Sequence, residues 1–142
     1  MVDKFRIFFI PLIYFLFHSL AFANSYAVHC PNKIEVKQII STLPSGWRSM
    51  NADSNHFLSN ITLHSGNPEE MASLKPESSK NVAKWTFSAK DEIYIVCGYN
   101  QTNIQLTQRL YEHTIYCQVK FDSSHMGPQG PIPQQIECIT EK

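Results

Sequence analysis

Apolar and polar residues alternate along much of the chain, most regularly between residues 93 and 99. The residues of one parity there are apolar or aromatic: Ile93, Ile95, Cys97 and Tyr99. A repeat of two is typical of a β-strand, whose successive side chains point to opposite faces of a sheet. Six further stretches share this alternation, at residues 30–36, 57–63, 85–87, 104–110, 115–121 and 136–138. The pattern therefore predicts six or seven short strands.

Turn-forming residues separate these stretches. Leu43-Pro44-Ser45-Gly46 has the order that a type I turn favours. Residues 122–133 are rich in Gly, Pro and Ser and are predicted to form a loop. Residues 68–72 predict a single helical turn, with Asn67 as its cap. Short strands with little helix predict a mainly β protein, a small antiparallel β-sandwich or barrel-like domain with at most one short helix.

The first 23 residues differ in composition from the rest of the chain. Lys4 and Arg6 precede an apolar stretch from Phe8 to Phe17, which is followed by Ala21-Phe22-Ala23. Positive residues, an apolar stretch and an A-x-A site, in that order, are typical of a secretory signal peptide. The apolar stretch is shorter than the roughly 20 residues of a membrane-spanning helix. We therefore expect a cleavable signal peptide at residues 1–23 and one exported domain at residues 24–142, in the periplasm or, as second choice, secreted.

The mature domain has almost no net charge. Removal of 23 of the 142 residues leaves 119, enough for a single domain with one core. The removed segment takes away two of the 12 basic residues and one of the 12 acidic residues, so 10 face 11. Without a basic stripe, nucleic acid is not an expected partner. Without a basic amphipathic helix, stable membrane insertion after cleavage is not expected either.

All four cysteines, Cys30, Cys97, Cys117 and Cys138, follow the predicted cleavage site. An even number in a small exported domain indicates two disulfides in an oxidising compartment, whereas a zinc site would need closer spacing. Four cysteines allow three pairings. If residues 114–121 and 134–140 form a hairpin around Gly127-Pro128-Gln129-Gly130, the register places Cys117 opposite Cys138. The favoured pairs are therefore Cys117 with Cys138, and Cys30 with Cys97.

Residues that could carry out chemistry are sparse in the sequence. It has no G-x-S-x-G motif and no glycine-rich phosphate loop. Asp122, Ser123, Ser124 and His125 are neighbours in sequence, and an ordinary polar loop is the favoured interpretation. His56 and His64 lie on one predicted strand roughly 26 Å apart, too far to share a metal ion. We therefore predict no catalytic residues, no metal and no cofactor, although two carboxylates from distant strands could still form a hydrolase site.

Aromatic residues and prolines supply the candidate contact surface. Trp47 follows a turn next to Arg48, and Tyr94 lies on the strand face opposite Cys97. Prolines stiffen the 122–133 segment, and Pro128 and Pro131 are the contact candidates there. Aromatic side chains with a polar end are common at protein interfaces. Trp85 and Tyr99, in contrast, are predicted to pack in the core.

The motifs also form an ordered set. The order is Cys30-Pro31-x-x-Ile34, Pro44-x-Gly46-Trp47, Leu74-x-Pro76, Trp85, Tyr94-x-Val96-Cys97-x-Tyr99 and Cys117. This order resembles a family of small uncharacterised exported proteins of Gram-negative bacteria. The resemblance implies a periplasmic, disulfide-bonded β-domain without known catalytic residues. Some members look like immunity proteins that accompany secretion systems delivering cell-wall-attacking toxins.

Three classes of function fit these observations. The first is a non-enzymatic exported binding protein, an inhibitor or immunity factor against a periplasmic cell-wall-degrading enzyme. The second is a structural or accessory protein of the cell envelope with no soluble target. The third, less favoured, is a hydrolase acting on the wall or on polysaccharide. The first class predicts a protein partner in the cell envelope.

Overall fold

The fold was analysed in a computed structural model that describes residues 23–50, 54–127 and 130–141. The expected signal peptide lies outside these ranges, apart from Ala23. Over the described ranges, no helix has the length and apolarity needed to cross a bilayer.

The described chain contains nine strands and one short 3₁₀ helix. The strands are β1 (Asn24–Val28), β2 (Lys33–Glu35), β3 (Asn55–Ser65), β4 (Glu77–Ser79), β5 (Val82–Thr86), β6 (Ile93–Tyr99), β7 (Gln105–Arg109), β8 (Thr114–Gly127) and β9 (Gly130–Thr140). The 3₁₀ helix, Pro68–Glu70, begins after Asn67, whose side chain accepts a hydrogen bond from the Glu69 amide. Asn67 caps this turn as predicted.

The strands form two antiparallel sheets. One sheet has the order β1-β9-β8-β5-β4, and the other has the order β2-β3-β6-β7. Both sheets contribute to one core, in which Leu63 and Ile95 of one sheet and Val119 of the other are almost fully buried. Burial of apolar side chains between sheets is the main force that holds such a domain together. The mainly β, antiparallel prediction is confirmed.

Two disulfides join the strands. Cys117 and Cys138 are direct partners in the β8–β9 register and are bonded to each other. Cys30, in the segment between β1 and β2, is bonded to Cys97 at the centre of the β6 strand. Because β1 and β2 belong to different sheets, the Cys30–Cys97 bond anchors the crossover between the two sheets. The pairs are those that the hairpin register favours.

One part of the β3 prediction is wrong. The alternation places Phe57 on the buried face and His56 on the polar face, but Phe57 is 56% exposed and His56 is 3% exposed. The pairing of β3 with β6 shifts between Leu58 and Asn60. Such a bulge adds one residue and reverses the faces on either side of it. Ile61 and Leu63, beyond the bulge, are buried as predicted.

Two loop predictions also need correction. Residues 122–133 are not a loop, because β8 continues to Gly127 and β9 begins at Gly130. Glycine, proline and serine fit there because the pairing is irregular, with register shifts next to Phe121 and between Asp122 and Met126. The turn before Trp47 is one residue later than predicted: the Trp47 amide donates to Pro44 O at 3.2 Å, and Gly46 has φ +84°. Positive φ at the third position is typical of a type II turn, which requires glycine there.

Candidate functional site

Trp47 and Arg48 lie in a segment without strands or helices, residues 36–50, which we call the apolar segment. Trp47 is 72% exposed and Arg48 is also exposed. The segment carries further large apolar side chains in contact with solvent: Ile39, Ile40, Leu43 and Met50. Soluble proteins seldom leave so many apolar groups in water within so few residues, and such surfaces commonly mark binding sites.

A shallow groove runs along one end of the apolar segment. Residues 36–39 form one wall, and residues 101–104, which follow β6, form the other. The groove encloses about 660 Å³ and is bordered by the exposed side chains of Ile39 and Ile104. The lining is mixed, because Lys37, Gln38 and the polar residues 101–103 lie beside these two isoleucines.

Tyr94 does not belong to this surface. It is half-buried near the first residue of β6, whereas the groove adjoins Tyr99 at the end of that strand. Five residues of strand separate the two positions by roughly 17 Å. The Tyr94 hydroxyl donates to Glu92 Oε1 at 3.3 Å, and Arg109 Nε lies 3.0 Å from the same oxygen. Tyr94 is therefore part of a polar surface network that the sequence alone did not reveal.

One of the two proline candidates, Pro131, lies in the β8–β9 hairpin. Pro131 is half-buried, and Pro133, two residues further on, is buried. Pro128 lies outside the described residues. The structure thus separates the sequence candidates into three places: the apolar segment, the Tyr94 network and the end of the hairpin.

A serine, a histidine and an aspartate meet in this hairpin. Ser124 Oγ lies 2.5 Å from Asp122 Oδ1 and 3.1 Å from His125 Nδ1, and His125 Nδ1 lies 2.5 Å from Asp122 Oδ2. In a catalytic triad, the carboxylate and the nucleophile bind opposite nitrogens of the imidazole. Here both contact the same nitrogen, and the serine hydroxyl donates to the carboxylate. The cluster therefore fixes the backbone and does not activate Ser124.

These contacts lower the pKa of Asp122 to about 2, first through the Ser124 hydroxyl and then through His125. Because the pKa in the folded state lies below the ordinary aspartate value, this contribution to stability is present above pH 4 and is lost as the pH falls towards 2. We expect a carboxyl titration followed by NMR to find Asp122 near that value. Ser124→Ala and His125→Ala should each raise the pKa of Asp122. Equal pKa values in all three proteins would contradict this network.

Among the described residues, no group of three or more His, Cys, Asp or Glu side chains is placed to hold a metal ion. His56 and His64 are both buried, and each makes a polar contact with a residue that is near it in the fold. His56 Nδ1 lies 2.8 Å from Asn100 O, and His64 Nε2 lies 3.2 Å from Thr62 Oγ1. Both histidines therefore contribute to the packing of β3, which the polar–apolar alternation did not predict.

Comparison with protein-family models identifies the family of this chain. Residues 53–139 match the family model of the type VI secretion system Tli immunity protein. The match covers more than half of the chain. The chain belongs to this family. The matched range runs from the start of β3 almost to the end of β9, so it contains nearly all of the β8–β9 hairpin and excludes the apolar segment. Neither the curated proteins nor the solved structures contain a match to the chain.

Family membership makes the sequence resemblance more specific. The ordered motifs suggested an immunity protein, and the family model links that immunity protein to a type VI secretion system. An immunity protein acts on a protein, so a protein partner follows from the family. The two disulfides are consistent with an oxidising compartment.

Proposed function

We propose that this protein protects its own cell by binding and blocking an effector of a type VI secretion system. The observation that carries the proposal is the match of residues 53–139 to the Tli immunity family. A binding role needs a rigid scaffold with exposed apolar anchors, and the two-sheet domain with its apolar segment has both.

The protein acts in the periplasm after removal of residues 1–23. The signal-peptide pattern and the two disulfides support this location. The position of β1 supports it as well, since the strand begins at Asn24 and pairs from that residue with Thr140 of β9. Cleavage after Ala23 would therefore leave the sheet complete.

The target is an enzyme that attacks the cell envelope, and we expect it to be of the wall-degrading class. An inhibitor in the periplasm meets its target where the envelope substrate lies. The identity of that substrate decides between a peptidoglycan hydrolase and an enzyme acting on another envelope component. The experiment below separates these classes.

Protection of living cells tests the proposal. Each effector secreted by the type VI system of the strain that carries this chain is expressed in the periplasm of a sensitive host. The full chain is co-expressed, and a matched control lacks residues 2–23. We expect the full chain to restore growth against one effector and the leaderless control to fail. The proposal is wrong if the full chain, present in the periplasm, protects against none of them.

The protected effector then reveals the target class. Release of peptidoglycan fragments by the purified effector, suppressed by the purified immunity protein, would confirm a wall-degrading target. Activity on a different envelope component, suppressed in the same way, would replace that class and leave the protective role unchanged.

Trp47 provides a test of the contact surface. Because its side chain is 72% exposed, Trp47→Ala should weaken effector binding by about 2 kcal/mol or more, the range of an interface hot spot. The melting temperature should stay nearly unchanged. Tyr111→Ala is the matched control, since Tyr111 is 67% exposed but lies outside the apolar segment. Calorimetric titration and thermal unfolding of each variant measure both quantities. Equal affinities of Trp47→Ala and the unchanged protein would remove Trp47 from the interface.

A further inference from the structure

The β8–β9 hairpin extends beyond the sheet that contains it. The last β5 residue paired with β8 is Val82, opposite Lys120, and the last β1 residue paired with β9 is Val28, opposite Ile136. Past these positions, in the described residues, the two strands pair only with each other. We call this two-stranded extension, residues 121–127 and 130–135, the β-arm. Among the described residues, no third strand flanks it.

The base of the β-arm is anchored in the domain. Phe121 packs against the core, and its pairing partner Pro133 is buried. The Phe121 amide donates to Asn81 O at 2.9 Å, in the turn between β4 and β5. These contacts hold the root of the arm in a defined direction, so the arm extends from a rigid base.

A polar network holds the shape of the arm further out. Three residues of β8 bulge out between Asp122 and Met126, against consecutive residues of β9. The Asp122 carboxylate accepts hydrogen bonds from the Ser124 amide at 2.8 Å and from Gln134 Nε2 on β9 at 3.0 Å. An isolated two-stranded hairpin is only marginally stable in water. The network therefore supplies rigidity that the bare hairpin lacks, and it links the two strands.

Neither edge of the arm is suited to receive another strand. The Phe121 amide points away from β9. Phe121 and Pro133 are therefore a pair whose backbone nitrogens both face the outer edges of the arm. The nitrogen of Pro133 thus lies on the outer edge of β9, and so does that of Pro131, two residues along. Proline cannot donate to an added strand. On the other edge, the bulge interrupts the pattern that a strand would need.

Because neither edge of the arm is suited to pair with another strand, the arm makes contact through the side chains at its end. Met126 is 69% exposed there and faces Pro131 across the hairpin. The Asp122 and His125 side chains contact each other at 2.5 Å. Met126 and Pro131 therefore form a small apolar patch near the end of the described part of the arm, beside the exposed polar side chains of residues 123–125. An apolar pocket is complementary to this patch.

We propose that the β-arm inserts Met126 and Pro131 into a concave apolar site of the effector. This inference rests on the proposed function and names the element that occupies the effector. A pre-formed projection loses little conformational entropy on docking, which favours tight binding. The flexible thioether of Met126 adapts to an apolar cavity.

Methionine oxidation tests the insertion in the unchanged protein. The probe is the purified effector against which the full chain protects cells. Dilute hydrogen peroxide oxidises exposed methionines, and mass spectrometry follows each site. Met71, which is 80% exposed and lies after the 3₁₀ helix, is the internal control. We expect the effector to slow oxidation of Met126 at least about tenfold and to leave Met71 unchanged, since buried thioethers lose access to oxidant. Equal oxidation of Met126 with and without effector overturns the proposal.

Two substitutions provide an independent measurement. Met126→Ala should weaken binding about 30-fold, as expected for a hot-spot residue, and Met126→Asp should weaken it further. Met71→Ala should leave affinity unchanged. If the unchanged protein protects cells and both Met126 variants bind as tightly as it does, the arm is not the inserting element and the protective function stands. If the unchanged protein binds no effector, the protective function fails, and the arm proposal fails with it.

Discussion

Replacing Cys30 and Cys97 together by alanine should lower the free energy of unfolding by about 4 kcal/mol, because the lost bond closes a long segment of chain. The two residues are 67 positions apart. Removing the cross-link frees the unfolded chain, whose entropy gain grows with the length of the closed segment. The native state loses its anchor between the β1–β2 crossover and β6. For a domain of this size, the melting temperature should fall by roughly 10–20 °C.

The second disulfide supplies the matched control. Cys117 and Cys138 are 21 positions apart and already face each other in the β8–β9 pairing. Their replacement by alanine should cost about 3 kcal/mol, since the closed segment is shorter. Denaturant unfolding of both double variants, with intact mass measured without reduction, gives the comparison. A larger loss for Cys117 and Cys138 would contradict the idea that the crossover bond contributes most.

Trp85→Ala should destabilise the domain by about 3–5 kcal/mol, the usual cost of deleting a buried aromatic side chain. Trp85 is 5% exposed, and its indole Nε1 donates to Leu74 O at 3.0 Å. Deletion leaves a cavity in the core and removes the hydrogen bond to the Leu74 carbonyl. The expected loss is a large share of the stability of a small domain.

The two tryptophans of the chain form a natural comparison. Trp47→Ala should change the free energy of unfolding by less than about 0.5 kcal/mol, because an exposed side chain has few contacts to lose. Trp85→Phe isolates the hydrogen bond from the packing, since it keeps most of the apolar volume. Denaturant titration of the three variants separates these terms. Similar losses for Trp47→Ala and Trp85→Ala would contradict their different burial.

Local sequence was sufficient for several features of the fold. The alternation of Ile93, Ile95 and Cys97 predicts one face of β6, and the structure buries that face. The predicted hairpin pairs positions whose numbers sum to 255, which places Cys117 opposite Cys138, and residues 116–120 of β8 pair with β9 in that register. Asn67 before Pro68 predicts the short helical turn. These features depend on neighbours in the chain, so the side-chain period and the turn chemistry determine them.

Other features were decided by residues far apart in sequence. A period of two shows which residues share a face but not which face is buried, so one bulge in β3 was enough to expose Phe57 and bury His56. The β1 strand was missed because a single residue, Val28, is buried in it.

The candidate contact surfaces also divide into features that the sequence determined and features that only the structure decided. The sequence by itself determined that the protein is a β-rich domain with two disulfides and that Trp47, next to a turn, is a contact candidate. Only the tertiary structure decided that Tyr94 lies apart from Trp47 and that residues 121–127 and 130–135 form an arm. The arm exists because β1 and β5 end before β8 and β9 do. Packing between distant segments determines where the neighbouring strands end, so local periodicity does not predict it.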